Sequence, residues 1–135
     1  MASRFDLMFA SGLSTTLNIH HGWAWVVIIG NGLAGLWALA ANWIIALRTR
    51  ALWWFIGLAE GTVFVQVTLG AILVGRYKVP LPQFHAFYGF VAIIAVAIIY
   101  SYRFQMKHRL YFLYGFGSLF VMGLGIRAML IAANR

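Results

Sequence analysis

Residues 80–100, PLPQFHAFYGFVAIIAVAIIY, decide how the chain folds. Pro80 and Pro82 restrict the backbone and remove two amide donors, so they favour a turn before the apolar run. His85 follows this turn and opens an uncharged, apolar stretch from 86 to 100. A run of this kind is typical of a helix that crosses a lipid bilayer. The stretch therefore predicts a transmembrane helix with a histidine at its entrance.

Three further runs of the same kind predict three more spans. A span needs roughly 20 mostly apolar residues to cross about 30 Å of hydrocarbon. The predicted spans are about 22–47, 52–75, 84–103 and 110–132. Residues 1–21 are mixed in character and are expected to form either a short interfacial segment or a partly ordered tail. Because the connections are short, we predict an all-α, four-helix transmembrane bundle of two antiparallel helical hairpins, with 1–135 as a single transmembrane domain.

Composition supports an integral membrane protein. The chain is 64% hydrophobic and only 9% charged, whereas soluble domains carry about 25% charged residues. The net charge of +8 comes from ten Lys and Arg against two acidic residues. In a membrane protein such residues lie at span ends and meet anionic lipid headgroups. The expected partner is therefore the lipid bilayer, and no nucleic-acid-binding motif is present.

The connecting loops predict an orientation. The two connections on one side carry five basic residues, more than the connection and termini opposite. The positive-inside rule then favours a multi-pass protein of the cell membrane, expected to be a bacterial cytoplasmic membrane, with both termini outside. The five residues are Arg48, Arg50, Arg103, Lys107 and Arg109.

The absence of cysteine excludes several classes of site. A chain with no cysteine has no disulfide, no iron–sulfur cluster, no thiolate zinc site and no covalent haem attachment. No nucleophile–base triad, HExxH motif, phosphate loop or carboxylate cluster is present either. The sequence leaves enzyme activity undecided, with the balance against it, and identifies no soluble substrate.

Histidines form one candidate site. In the predicted arrangement, His20 or His21 lies on the same side of the bundle as His85. Two neutral imidazoles from facing helices suit the axial positions of haem b, and no metal other than haem iron is expected. The alternative is that these histidines are amphipathic anchors at the membrane boundary.

Neighbouring residues could complete a haem site. Gly89, one turn after His85, would leave room for a flat ring. Arg76 and Arg127 are expected on the same side of the membrane and could bind haem propionates. Haem b is therefore a possible cofactor.

A resemblance points in the same direction. Residues 66–74, QVTLGAILV, followed by Pro82 and by His85, resemble a segment of the haem A synthase family. That family pairs a Q-x-x-L-G-x-x-x-V helix with a later proline and a histidine that opens the next helix. The resemblance implies haem held between His85 and a histidine at position 20 or 21. It covers residues 66–86 of a chain that is one half-bundle long and lacks the family's cysteine pair, so it does not imply the complete enzyme.

A second resemblance carries no activity. Residues 82–103 and 115–129 resemble small, uncharacterised bacterial four-span membrane proteins.

Polar residues inside the spans form another candidate site. Glu60 is the acidic residue within a predicted span, where insertion of a charged side chain costs about 2.5–3.5 kcal/mol. It is interpreted as a proton-relay carboxyl, as a partner for a cation on a neighbouring subunit, or as a protonated acid hydrogen-bonded inside the bundle. The alternative is a neutral or paired group that only fixes helix register. Asn31 and Asn42 on the first span are candidate partners. Gln66 lies about 120° around the helix from Glu60, so the two need not share a site.

Three functions follow from these patterns. The first is a small non-catalytic accessory or assembly subunit of a larger respiratory or transport complex, whose partners are other membrane subunits. The alternative is a b-type haem-binding redox or haem-handling protein that uses His20 or His21 with His85. The third is a small proton-coupled transporter that depends on Glu60.

Overall fold

The structure, a computed structural model, describes residues 3–133. The ends of the predicted domain, residues 1, 2, 134 and 135, lie outside this range. Four α-helices and two short 3₁₀ turns account for the regular structure of the described residues, and none of these residues forms a strand. Each of the four helices is long and apolar enough to cross a membrane. The elements are α1 (Arg4–Trp43), a turn (Ile45–Leu47), α2 (Arg50–Gly75), α3 (Gln83–Ser101), a turn (Lys107–Arg109) and α4 (Leu110–Ala133).

The first helix differs from the sequence expectation. Residues 4–43 form one continuous helix, so residues 4–21 of the predicted segment 1–21 are not a separate element, and the helix ends before residue 47. A capping box at Ser3 and Asp6 starts it, because each side chain accepts the other residue's backbone N–H at 3.1 Å. At 1.5 Å per residue, α1 is about 60 Å long, twice the thickness of a hydrocarbon core.

The other helices begin at local signals in the sequence. Thr49 caps α2 by accepting the backbone N–H of Leu52 at 3.4 Å. Pro82 has an extended backbone and precedes α3 directly. The predicted spans 52–75 and 110–132 lie inside α2 and α4, while α3 ends two residues before the predicted limit of 103.

Packing between the helices is uneven. α1 packs extensively against α4 and α2, and α3 packs against α4, whereas α2 and α3 make few contacts. Glycine allows the closest approach, since a Cβ at Gly35 would lie 2.8 Å from the carbonyl oxygen of Gly115. The bundle is therefore tight along α1 and α4 and loose between α2 and α3.

Candidate functional site

A cavity of about 710 Å³ lies at the end of the bundle where α2 ends and α3 begins. All four helices and the α2–α3 loop contribute to its wall, which carries no Asp, Glu, Lys or Arg. Small residues create the space, because a glycine or alanine leaves room that a larger side chain would fill. These residues are Ala24 of α1, Gly70, Ala71 and Gly75 of α2, Ala86, Gly89 and Ala92 of α3, and Gly125, Ala128, Ala132 and Ala133 of α4.

His85 enters the cavity wall from the first turn of α3. Its Nδ1 lies 2.9 Å from the carbonyl oxygen of Ala128 on α4. Because a carbonyl oxygen only accepts, the ring donates this hydrogen bond from a protonated Nδ1. The neutral ring then keeps its lone pair on Nε2. This is the arrangement of a histidine that ligates a metal through one nitrogen and donates to a backbone carbonyl through the other.

His20 faces His85 across the cavity. The two ring centroids lie 6.1 Å apart, with the ring planes at 77°. Gln66 of α2 supports this position, since its Nε2 donates to the carbonyl oxygen of His20 at 2.9 Å. The His20 ring also lies against the backbone of α2, because a Cβ at Gly70 would be 3.4 Å from its Cε1. Gln66 therefore holds the backbone of His20, and Gly70 leaves space for its ring.

Two buried polar atoms beside the cavity lack a hydrogen-bond partner among the described residues. They are Nδ1 of His20 and Oε1 of Gln66. An unpaired buried polar atom costs about 1–3 kcal/mol. A ligand or bound water that pairs with these atoms would remove that cost.

His21 has a different position from His20. It also lines the cavity, but its side chain is exposed and its ring centroid lies 6.2 Å from that of His20. Since the sequence left open which of the two pairs with His85, the structure adds a distinction: His20 is half-buried with its ring beside that of His85, and His21 lies at the mouth.

The arginines predicted to meet propionates do not line the cavity. Arg127 is exposed, and its guanidinium carbon lies 6.0 Å from the ring centroid of Tyr88, a cavity residue. Arg76 is exposed in the α2–α3 loop, 5.7 Å from the Tyr77 ring. Arg127 is thus next to the cavity wall, whereas Arg76 contacts the loop.

The residues present fit a haem group. Cofactor cavities typically measure about 300–1,000 Å³ and are mostly apolar. The His20 and His85 rings come from different helices, and the 6.1 Å between their centroids would let both imidazoles bind one haem iron through metal–nitrogen bonds of about 2 Å. Gly89 lines the cavity, and a Cβ there would meet no atom within 4 Å, so the space expected beside His85 is present.

Among the polar residues predicted inside the spans, Gln66 lines the cavity, whereas Asn31, Asn42 and Glu60 do not. Asn31 is fully buried, and its Nδ2 donates to the carbonyl oxygens of Val27 at 2.9 Å and Ala59 at 3.1 Å. Neither Asn31 nor half-buried Asn42 hydrogen-bonds to Glu60 within the described residues. Glu60 is buried outside the cavity wall, and its Oε1 has no partner among those residues.

Two features of the cavity were not predicted from the sequence: the acceptor for the His85 ring and the small residues of α4. The carbonyl oxygen of Ala128 carries no signal in the sequence, because every residue has one. The small residues of α4 that line the cavity did have a signal, a spacing of three and four from Gly125 to Ala128 and Ala132.

No protein-family model matches the chain, and no curated protein or solved structure is significantly similar to it. The resemblance of residues 66–86 to haem A synthase therefore stays a prediction from the sequence.

Proposed function

We propose that this chain is a multi-pass membrane protein that binds b-type haem, with His20 and His85 as the two residues that would hold the iron. One observation carries the proposal: two imidazoles from different helices face each other 6.1 Å apart in an apolar cavity. The hydrogen bond from His85 Nδ1 to Ala128 supports it, because it directs the free lone pair of the ring to Nε2.

Membrane insertion is supported by the outer faces of the helices. Large apolar residues are exposed at spacings of three and four, so each set forms one stripe on a helix. Exposed apolar surface this extensive is typical of contact with lipid. The proposed arrangement is two antiparallel hairpins, α1 with α2 and α3 with α4, with the basic loops inside. The stripes include Trp25, Ile29, Leu33 and Leu36 of α1 and Phe87, Phe90, Ile94 and Ile98 of α3.

The chain's own residues have distinct roles in this proposal. His20 and His85 would hold the iron, Gln66 holds the backbone of His20 through its carbonyl oxygen, and the apolar wall would limit access of water to the site. Arg127, beside Tyr88 at the cavity wall, is the proposed partner for a propionate. When bound, haem would supply one-electron redox chemistry, whose potential depends on its axial ligands and on burial.

The accessory-subunit hypothesis is compatible with haem binding and stays a proposal. A small redox subunit of a respiratory complex would use the same cavity and would place its exposed apolar faces against partner helices as well as lipid. The transporter hypothesis has less support, because Glu60 lies outside the cavity wall.

A visible spectrum of the protein in detergent tests the haem proposal. We expect Soret and α bands in the reduced-minus-oxidised spectrum of the native chain. His85→Ala and His20→Ala should each abolish or shift these bands, because each removes one axial ligand. The matched controls, His21→Ala at the cavity mouth and His108→Ala in the exposed basic turn, should retain them.

A second measurement separates ligand loss from misfolding. Far-ultraviolet circular dichroism should show native helix content in each variant, and added imidazole should restore the bands in His85→Gly. A protein that stays colourless after reconstitution with haem, or a spectrum that survives both ligand substitutions, would contradict the proposal.

A further inference from the structure

We propose that the cavity exchanges its ligand sideways with the hydrocarbon of the bilayer, through a gap between α2 and α3. The surface involved, here called the α2–α3 gap, is formed by Ala71 and Gly75 of α2 and Phe90 of α3. The identity of the ligand, a large apolar ring, rests on the proposed function. The route rests on the packing of the helices.

The uneven packing of the bundle leaves one side open. α2 and α3 make few contacts, whereas α1 packs closely against both α2 and α4, and α3 packs against α4. Gly35 and Gly115 bring α1 and α4 together, because a Cβ at either position would overlap the opposite helix. A ligand therefore meets less packed protein between α2 and α3 than between α1 and α4.

The residues of the gap are both cavity-lining and exposed. Ala71, Gly75 and Phe90 contribute to the cavity wall, and all three are exposed. Phe90 also belongs to the exposed apolar stripe of α3, so it lies both at the cavity and on the outer face of that helix. Together with the few contacts between α2 and α3, this places the proposed opening of the wall between these two helices.

Glycines at the cavity do not serve close packing between α2 and α3. A Cβ at Gly75 or at Gly89 would meet no atom within 4 Å. This contrasts with Gly35, where a Cβ would meet Leu119 at 2.7 Å. The glycines near the gap thus border open space, and in a membrane that space admits acyl chains or an apolar ligand.

The chemistry of the wall selects the class of ligand. The cavity wall contains no Asp, Glu, Lys or Arg. Transfer of a charged group through such a wall costs several kcal/mol. The cavity also extends inward from His85 to Ala92, about 10 Å along α3. The route therefore suits a flat apolar ring that partitions into the bilayer, with any acidic groups trailing towards the membrane surface.

A cysteine placed in the gap tests the route, and the absence of native cysteines makes the labelling specific. The test variant is Ala71→Cys, reacted with a bulky maleimide before reconstitution into liposomes. Its matched control is Gly57→Cys, since Gly57 is exposed on the same helix, outside the cavity wall, and a Cβ there meets nothing within 4 Å. The measurement is the rate of haem uptake from haem-loaded vesicles, followed by Soret absorbance.

We expect the label at position 71 to slow haem uptake by roughly tenfold. An effect of this size lies within the roughly 10- to 1,000-fold range over which association rate constants vary among variants of one binding site. The label at position 57 should leave the rate unchanged. An unchanged rate in labelled Ala71→Cys, with the haem spectrum intact at equilibrium, would overturn the route and leave the proposed function standing.

A haem-independent measurement covers the case in which no haem binds. Gly89→Cys carries a fluorescent label inside the cavity, and lipids with a spin label on the acyl chain act as quenchers. We expect quenching by these lipids and little quenching by aqueous iodide, since the gap opens to hydrocarbon. Quenching by iodide alone would overturn the route whether or not haem binds. Labelled Gly123→Cys, on an exposed part of α4 with open space around it, is the positive control for lipid contact.

Discussion

Asn31 shows how one buried amide positions a helix. It is fully buried on α1, and its Nδ2 donates both to Val27 one turn earlier and to Ala59 of α2. The sequence predicted Asn31 as a candidate partner of Glu60, whereas its partner on α2 is the carbonyl oxygen of the preceding residue, Ala59. Trp23 makes a second hydrogen bond between α1 and α2, because its Nε1 donates to the carbonyl oxygen of Thr62 at 2.8 Å. Together they fix the rotation of α1 against α2.

Replacing Asn31 should therefore destabilise the bundle. Asn31→Ala leaves the carbonyl oxygen of Ala59 without this donor and removes volume from the core, which we expect to cost about 1–3 kcal/mol. Asn42→Ala is the control, because Asn42 is only half-buried and its side chain makes no hydrogen bond within the described residues. Its cost should stay within about 0.5 kcal/mol. Reversible unfolding in mixed detergent measures both, and equal costs would contradict the role assigned to Asn31.

The pairing of α1 with α4 depends on glycine. A Cβ at Gly35 would lie 2.8 Å from a backbone oxygen of α4, and one at Gly115 would lie 2.6 Å from the Leu39 side chain. In lipid, small residues allow helix backbones to approach and gain van der Waals contact. Side chains can adjust to such an overlap, but the Gly115 backbone cannot move without separating the helices.

Gly35→Ala should therefore cost about 1–3 kcal/mol of unfolding free energy, although alanine is the better helix former. Gly57→Ala, with nothing within 4 Å of the added Cβ, should be neutral or stabilising by up to about 1 kcal/mol. Unfolding curves of the two glycine variants, measured side by side in detergent, test this difference. An increase in the free energy of unfolding on Gly35→Ala would contradict close packing of α1 against α4 at this position.

The long N-terminal part of α1 holds the loop at the cavity end. The rings of Phe9 and Tyr77 lie 5.0 Å apart, and a Cβ at Gly12 would lie 2.5 Å from the Tyr77 hydroxyl. The same loop contributes Leu81 to the cavity wall. Lys78 has a φ of 56°, a left-handed conformation that glycine adopts more easily. Contacts with α1 therefore position a loop whose own backbone is strained.

The distribution of charge over the whole molecule predicts its orientation in a membrane. The α1–α2 and α3–α4 connections hold five of the ten basic residues, more than the α2–α3 connection and the termini together, which favours their retention inside. Lys78→Cys should therefore react with a membrane-impermeant maleimide added to intact cells. His108→Cys should react only after the membrane is opened. The reverse pattern would place both termini inside, and labelling of both positions in intact cells would point to a mixed orientation.

Much of the architecture was accessible from the sequence. The four apolar runs predicted four helices of sufficient length, and the Pro80–Pro82 pair correctly placed His85 in the first turn of α3. These features depend on hydrophobicity and on local backbone restrictions, which neighbouring residues determine. The start of α1 was missed, because the mixed character of residues 1–21 gave no apolar run, whereas the helix begins at the capping box of Ser3 and Asp6.

The pairing of His85, in residues 80–100, with His20 of α1 needed the tertiary structure. Residue types showed that His20 or His21 could meet His85, but the choice between them depends on how α1 is rotated against α2. Contacts distant in sequence set that rotation, through Asn31 with Ala59 and Gln66 with His20. The hydrogen-bond acceptor for the His85 ring is a backbone oxygen, that of Ala128. Helix packing also leaves Arg76 and Arg127 outside the cavity wall. Local chemistry thus determined which helices form, whereas long-range packing decided which side chains meet.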